Sequence, residues 1–181
     1  MKMALLQKKA VAASIGIFFI VAGAAMFFIY KKTGSPNEPT AVSMVALSDL
    51  TFKDIDGKDI SVASLRGRPV IFHLWASWCA LCTQEISSFA ALEKEFGDRL
   101  VVVEVNRRES SETVKKYADA LDAEHHLIFV ADSGDALYKE IGGFSMPETI
   151  FVDALGIIRD HASGHMDAVE TKRRIQDSFG F

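Results

Sequence analysis

The chain has 181 residues, of which 20 are lysine or arginine and 24 are aspartate or glutamate, so its formal net charge is −4. Hydrophobic residues make up 49% of the chain, which excludes a disordered protein. The absence of a basic excess disfavours a nucleic-acid partner. Two cysteines are too few for a disulfide-rich scaffold or a four-thiolate zinc site.

The first part of the chain predicts a membrane segment. Residues 1–32 contain five lysines and no acidic residue, and residues 10–30 carry no charge at all. As a helix this run would be about 31 Å long, which matches the ~30 Å hydrocarbon core of a bilayer. We expect a cytoplasmic tail at 1–9, an uncleaved transmembrane anchor at 10–30 and a linker at 31–44. A cleaved signal peptide, cut near Ala22-Gly23-Ala24, is the alternative.

The flanking lysines predict the orientation of this anchor. Three lysines precede it and two follow it, a weak positive-inside bias. We therefore expect a single-pass protein of the inner (cytoplasmic) membrane, with a C-terminal domain at 45–181 that faces the periplasm or the outside.

The first half of that domain predicts strands around one helix. A hairpin turn is indicated at Asp56-Gly57, and Gly97 ends the helix that follows Cys79. The apolar stripe of this helix has the three- and four-residue spacing of one buried face. The expected strands are Leu50–Lys53, Ile60–Val62, Val70–Trp75 and Leu100–Val105, and the helical stripe is Ile86, Phe89, Leu92 and Phe96.

The second half continues the alternation and ends in a hairpin and a helix. Ser110 or Ser111 can cap a second helix, and Asp167 can cap the last one, through about Phe179. This order predicts an α/β domain with a mixed sheet covered on both sides. The other expected elements are strands at Leu127–Val130, Thr149–Val152 and Ile157–Arg159 and a short helix at Asp135–Ile141.

The strongest chemical signal is Trp78-Cys79-Ala80-Leu81-Cys82, at the junction of a buried strand and a helix. The N–H groups at a helix N-terminus stabilise an anion, so Cys79 is expected to be the attacking thiolate and Cys82 the resolving thiol. Half of a metal site is the alternative for this pair. No histidine has matching spacing for zinc, but two thiolates could bind Cu(I).

Several motifs resemble the thioredoxin superfamily, and in detail its membrane-tethered TlpA/ResA/CcmG (DsbE) group. The resemblance covers about residues 45–181. The Pro-Glu-Thr segment that starts at Pro147 is particularly similar to the CcmG (DsbE) branch. The matching stretches are 56–58, 65–70, 75–79, 82–85, 146–153 and 156–159.

This resemblance implies a thioredoxin-like fold with an N-terminal β-hairpin extension. It implies a protein thiol–disulfide oxidoreductase whose only redox group is the Cys79–Cys82 disulfide, with no metal or other cofactor. Pro147 is expected to be a cis-proline that faces the redox motif, and Met146 and Trp78 are expected to bind substrate.

The resemblance also implies a periplasmic reductase of the cytochrome c maturation type. Its substrate would be a protein disulfide such as that of apocytochrome c, and its electron donor an integral-membrane protein of the DsbD/CcdA type. A general disulfide oxidase or isomerase, a stress-protective reductase and a Cu(I)-handling protein are the alternatives.

Three further residues are candidates for proton transfer or for tuning the thiol pKa. His73 lies six residues before Cys79, where thioredoxins carry a buried aspartate and the CcmG/ResA branches commonly an asparagine. Glu109 lies in a stretch that resembles ResA, and Glu85 matches the family's Cys-x-x-Glu. A buried neutral histidine and two solvated acids are the alternatives. For the remaining histidines, at 125, 126, 161 and 165, we expect surface or loop roles.

Overall fold

The computed structural model describes Leu47, residues 49–121 and residues 127–181. The expected tail, anchor and linker, together with His125 and His126, lie outside the described residues. Within the described ranges no helix combines the length and the apolar character needed to cross a bilayer. The anchor and the domain boundaries therefore stay predictions.

The described part of the chain forms seven strands and four α-helices, with short 3-10 turns at Val62–Leu65 and Gly97–Arg99. The strands are β1 (Thr51–Asp54), β2 (Asp59–Ser61), β3 (Val70–Trp75), β4 (Val101–Arg107), β5 (Ile128–Asp132), β6 (Glu148–Val152) and β7 (Ile158–Ser163). The helices are α1 (Ala80–Phe96), α2 (Ser111–Ala120), α3 (Ala136–Glu140) and α4 (Ala168–Phe179).

The seven strands form one mixed sheet in the order β2-β1-β5-β4-β3-β6-β7. The central strands β3, β4 and β5 are parallel, and the β1–β2 hairpin and the β6–β7 hairpin add antiparallel strands at the two sides. The mixed sheet and the N-terminal hairpin are confirmed. The expected caps are also confirmed, because Ser110 is the N-cap residue of α2 and Asp167 that of α4.

Alternation along β3 divides the core between the two faces of the sheet. Val70, Phe72 and Leu74 pack on one face with α3 and the Val62–Leu65 turn. Ile71 and Trp75 pack on the other face with α1, α2, α4 and both cysteines. His73 lies between Ile71 and Trp75 in the strand, so its side chain shares the face that carries the redox motif.

The most different element is the last strand, which is longer than expected. The sequence predicts Ile157–Arg159, whereas β7 runs from Ile158 to Ser163. The extension contains polar residues that look like a loop in sequence. They pair with β6 along the backbone ladder, and the side chains of His161 and Ser163 also contact Glu148 of that strand.

Candidate active site

The redox motif forms a disulfide at the N-terminus of α1. Cys79 is the N-cap residue, and its Sγ accepts a hydrogen bond from the backbone N of Cys82 at 3.3 Å. Cys79 retains 9% exposure whereas Cys82 is fully buried. A partner thiolate can therefore reach only Cys79, and Cys82 is the leaving sulfur inside the protein.

Pro147 follows a cis peptide bond with Met146, as the resemblance implies. The Pro147 carbonyl accepts a bond from Gly164 N at 2.9 Å, and β6 begins one residue later. Met146 therefore lies just outside the β6 ladder. Its side chain packs against the core cluster that contains both cysteines.

Glu148 holds the segment that precedes this proline. One carboxylate oxygen accepts bonds from the backbone N of Phe144 and of Ser145, both at 2.9 Å. The other accepts from Ser163 Oγ at 2.9 Å and contacts His161 Nε2 at 2.5 Å. Burial by itself raises the pKa of Glu148, but these bonds outweigh it and lower that pKa. Glu148 is thus a buried carboxylate that fixes the loop, a role the sequence did not reveal.

Exposed apolar side chains lie in the redox motif and in the loop before Pro147. Trp78 precedes Cys79 and is 70% exposed, and Leu81 within the motif is 48% exposed. Phe144, in the loop that Glu148 holds, is 80% exposed. Trp75, by contrast, is buried against Tyr117.

His73 lies fully buried between two buried carboxylates. Its Nδ1 is 2.6 Å from Glu104 Oε2, and its Nε2 is 2.9 Å from Glu85 Oε2. Burial lowers the pKa of His73, but the charges and hydrogen bonds of both glutamates outweigh burial and raise the pKa to about 9. His73 is therefore a buried cation at neutral pH. Both ring nitrogens contact carboxylates, which favours the charged form of His73 over the neutral one.

Glu104 is a site residue that the sequence analysis missed. It stands opposite His73 in the parallel β3–β4 ladder, and burial raises its pKa more than the neighbouring His73 charge lowers it. The signal was present in the sequence. Glu104 is the one charged residue within Val101–Val105, and a charge in a fully buried strand requires a partner.

Glu85 is buried on α1 and links His73 to a segment near the surface. Its second oxygen, Oε1, accepts a bond from the backbone N of Met166 and lies 3.0 Å from His165 Nδ1. Glu85 is thus not a solvated acid. His161 and His165, expected in ordinary surface or loop roles, each contact a buried carboxylate.

Glu109 lies beside the loop that leads into the motif. Its carboxylate accepts bonds from Ser77 N at 2.8 Å, from Ser77 Oγ at 2.6 Å and from Asn106 Nδ2 at 2.7 Å. Burial raises the pKa of Glu109, but the bonds from Ser77 and Asn106 lower it overall. Glu109 therefore fixes the position of Ser77, two residues before Cys79.

The described residues show no metal centre. Within the described ranges, no group of three or more His, Cys, Asp or Glu side chains is arranged to hold a metal ion.

The chain is similar to a protein family and to several known bacterial proteins. Residues 45–161 match the model of the AhpC/TSA family. The chain is 30% identical over 130 residues to the thioredoxin-like protein YneN of Bacillus subtilis, an alignment that covers 70% of this chain and 75% of the relative. It is 26% identical over 156 residues to the thiol:disulfide interchange protein DsbE of Pseudomonas aeruginosa, covering 84% and 83%.

A solved structure extends the comparison to the fold. The exposed lipoprotein thioredoxin Etrx1 of Streptococcus pneumoniae superposes with a TM-score of 0.64 at 25% identity. The superposition covers 71% of this chain and 98% of that one. The expected thioredoxin-like fold is confirmed.

Proposed function

The chain belongs to the AhpC/TSA family and is a protein thiol–disulfide oxidoreductase, and from this premise we propose that it is a reductase of the cytochrome c maturation type. The single observation that carries the proposal is the asymmetric disulfide, with Cys79 at the surface end of α1 and Cys82 buried. The similarity to DsbE and the Pro-Glu-Thr segment support the choice of pathway.

In this reaction the reduced protein transfers two electrons to a substrate disulfide. The Cys79 thiolate attacks one substrate sulfur, forms a mixed disulfide and expels a substrate thiolate. The Cys82 thiol then loses its proton, attacks Cys79 Sγ and expels the second substrate thiolate. The protein leaves the reaction with the Cys79–Cys82 disulfide, which a membrane electron donor of the DsbD/CcdA type would reduce again.

The charges around the pair favour a reductant over an oxidant. DsbA is a strong oxidant because its reduced form is stabilised. Here the intervening residues Ala80 and Leu81 are neutral, and the buried cation His73 is held between Glu85 and Glu104. With neutral residues between the two cysteines, stabilisation of the Cys79 thiolate comes from the N-terminus of α1.

The substrate we propose is an extended segment of an unfolded protein, such as the haem-binding segment of apocytochrome c. Trp78 and Leu81 offer apolar surface beside Cys79. The backbone of Met146 lies just outside the β6 ladder, and we propose that it pairs with an extended chain of the substrate. With the anchor at residues 10–30, the domain would act at the outer face of the inner membrane.

The first test is the reduction potential of the full-length protein, equilibrated in glutathione or dithiothreitol buffers. We expect a value near or below about −220 mV, in the range of thioredoxin and glutaredoxins. A value near about −120 mV, that of DsbA, would exclude the reductase assignment.

The second test concerns the pathway. Deletion of the gene is expected to lower holo-cytochrome c, and added thiol or a wild-type copy is expected to restore it. A Cys79→Ser copy should not restore it, while a Cys82→Ser copy should accumulate mixed disulfides with the substrate. Unchanged holo-cytochrome c in the deletion strain would contradict the pathway and leave the oxidoreductase activity standing.

A further inference from the structure

The resolving step requires a proton route that the buried position of Cys82 does not itself provide. Cys82 has no exposed surface, yet its thiol must lose a proton whenever it attacks Cys79. The proton must therefore pass through the protein before it reaches water. The need for this route rests on the thiol–disulfide exchange proposed above.

A chain of ionisable groups begins one helical turn from Cys82. Glu85 follows Cys82 by three residues on α1, which places the two side chains on one face of the helix with Cβ atoms about 5–6 Å apart. Both residues are buried. The Glu85 carboxylate is therefore the acidic group nearest to Cys82 along this helix face.

From Glu85 the hydrogen-bonded chain leads in two directions. Oε2 contacts His73 of β3, which in turn contacts Glu104 of β4. Oε1 contacts Nδ1 of His165, at 3.0 Å, in the segment between β7 and α4. The His165 side chain is 36% exposed, whereas Glu85, His73 and Glu104 are buried.

We propose that His165 is the solvent end of a proton path that starts at the Cys82 thiol and passes through Glu85, with His73 and Glu104 holding the Glu85 carboxylate in place. The path serves the resolving step. A carboxylate and an imidazole suit it because each can take up a proton and release it.

The Cys82 S–H bond breaks and its proton passes to Glu85, while the freed sulfur lone pair forms the bond to Cys79 Sγ. The bond between Cys79 and the substrate sulfur breaks, and the substrate leaves as a thiolate. Glu85 then gives the proton to His165 Nδ1, and His165 releases one to water.

The test separates the two thiols in a single turnover. Reduced full-length protein is mixed with one equivalent of 5,5′-dithiobis(2-nitrobenzoate), and the absorbance of the released thiolate is followed. The first phase reports attack by Cys79, and the second reports the attack by Cys82 that expels the second thiolate. Only the second phase requires the proton of Cys82 to leave.

The variant is His165→Gln, because glutamine can still donate a hydrogen bond to Glu85 but cannot carry a proton. His165 is at the surface, so the variant should fold, and its thermal unfolding is compared with wild type. A positioned proton-transfer group contributes about 10²–10⁴-fold to a rate, and since water replaces part of this path we expect the second phase to slow about tenfold. The first phase should not change.

Chemical rescue distinguishes proton transfer from a structural effect. Added imidazole should return the second phase of His165→Gln towards the wild-type rate. His161→Gln is the matched control, since His161 also contacts a buried carboxylate, Glu148, but not Glu85. Any slowing in that control should not respond to imidazole.

Two outcomes would overturn the proposal: a second phase as fast as wild type, or a slow second phase that imidazole leaves unchanged. The glutathione equilibrium constant of His165→Gln should equal that of wild type, because a path changes a rate and not the end states. The wild-type reduction potential tests the proposed function, and the second phase tests the path, so one can fail without the other.

Discussion

The buried cation His73 should make the stability of the protein depend on pH in a defined direction. Its pKa is about 9 in the folded protein against an ordinary 6.5, because the two glutamates outweigh the effect of burial. A raised pKa means that the folded state binds the proton more tightly. The contribution to stability is therefore complete below pH 6.5 and is lost as the pH rises through about 9.

The size of this contribution follows from the same two values. Each pKa unit corresponds to about 1.4 kcal/mol, so the difference between 6.5 and about 9 is worth about 3 kcal/mol. The perturbation is His73→Asn, which cannot carry the charge. It leaves Glu85 and Glu104 without their buried partner, so we expect a loss of about 3–5 kcal/mol at the acid end of the range.

The assay is urea unfolding of the oxidised protein from below pH 6.5 to above pH 9, followed by circular dichroism. The unfolding free energy of wild type should fall by about 3 kcal/mol across this range. Thr149→Val is the matched control, since Thr149 lies opposite His73 on β6, is buried and carries no charge. A wild-type unfolding free energy that stays constant across this range would refute the buried cation.

Two other carboxylates give predictions about loops. In the same urea titration, Glu109→Gln should lower the unfolding free energy by about 1–3 kcal/mol, because charge-assisted bonds to Ser77 are lost. The control, exposed Glu112→Gln, should stay within about 0.5 kcal/mol of wild type. Since those bonds lower the pKa of Glu109, its contribution is present above its ordinary 4.5 and is lost as the pH falls. Glu148→Gln should raise KM for a protein disulfide more than it lowers kcat, because the loop before Pro147 is released. The control, exposed Glu140→Gln, should leave both constants unchanged. Equal KM values for Glu148→Gln and wild type would contradict the assigned role of the loop.

Most of the fold could be predicted from local patterns. The stripe on α1, the stop at Gly97 and the caps at Ser110 and Asp167 depend on neighbours within one or two turns, so they are visible in sequence. The redox motif is likewise local, since a helix N-terminus activates the first cysteine wherever the helix packs. The length of β7 was missed because its polar residues are satisfied by a different strand.

The roles of the charged residues were decided only by the tertiary structure. The sequence left His73 open between a cation and a neutral core histidine, because the answer depends on Glu104, 31 residues away, and on Glu85 of the helix above. His165 contacts a residue 80 positions earlier in the chain. The effect of a buried charge is set by the groups around it in space, and no local pattern contains them.

The sequence by itself thus determined the thiol pair, the helix that activates it and the order of strands and helices. The register of β3 with β4 and the packing of α1 decided which carboxylates lie beside His73, and so decided the charge of that buried group. The reason is physical. Hydrophobic periodicity and capping act over a few residues, whereas electrostatic interactions in a buried site act between whichever residues the fold brings together.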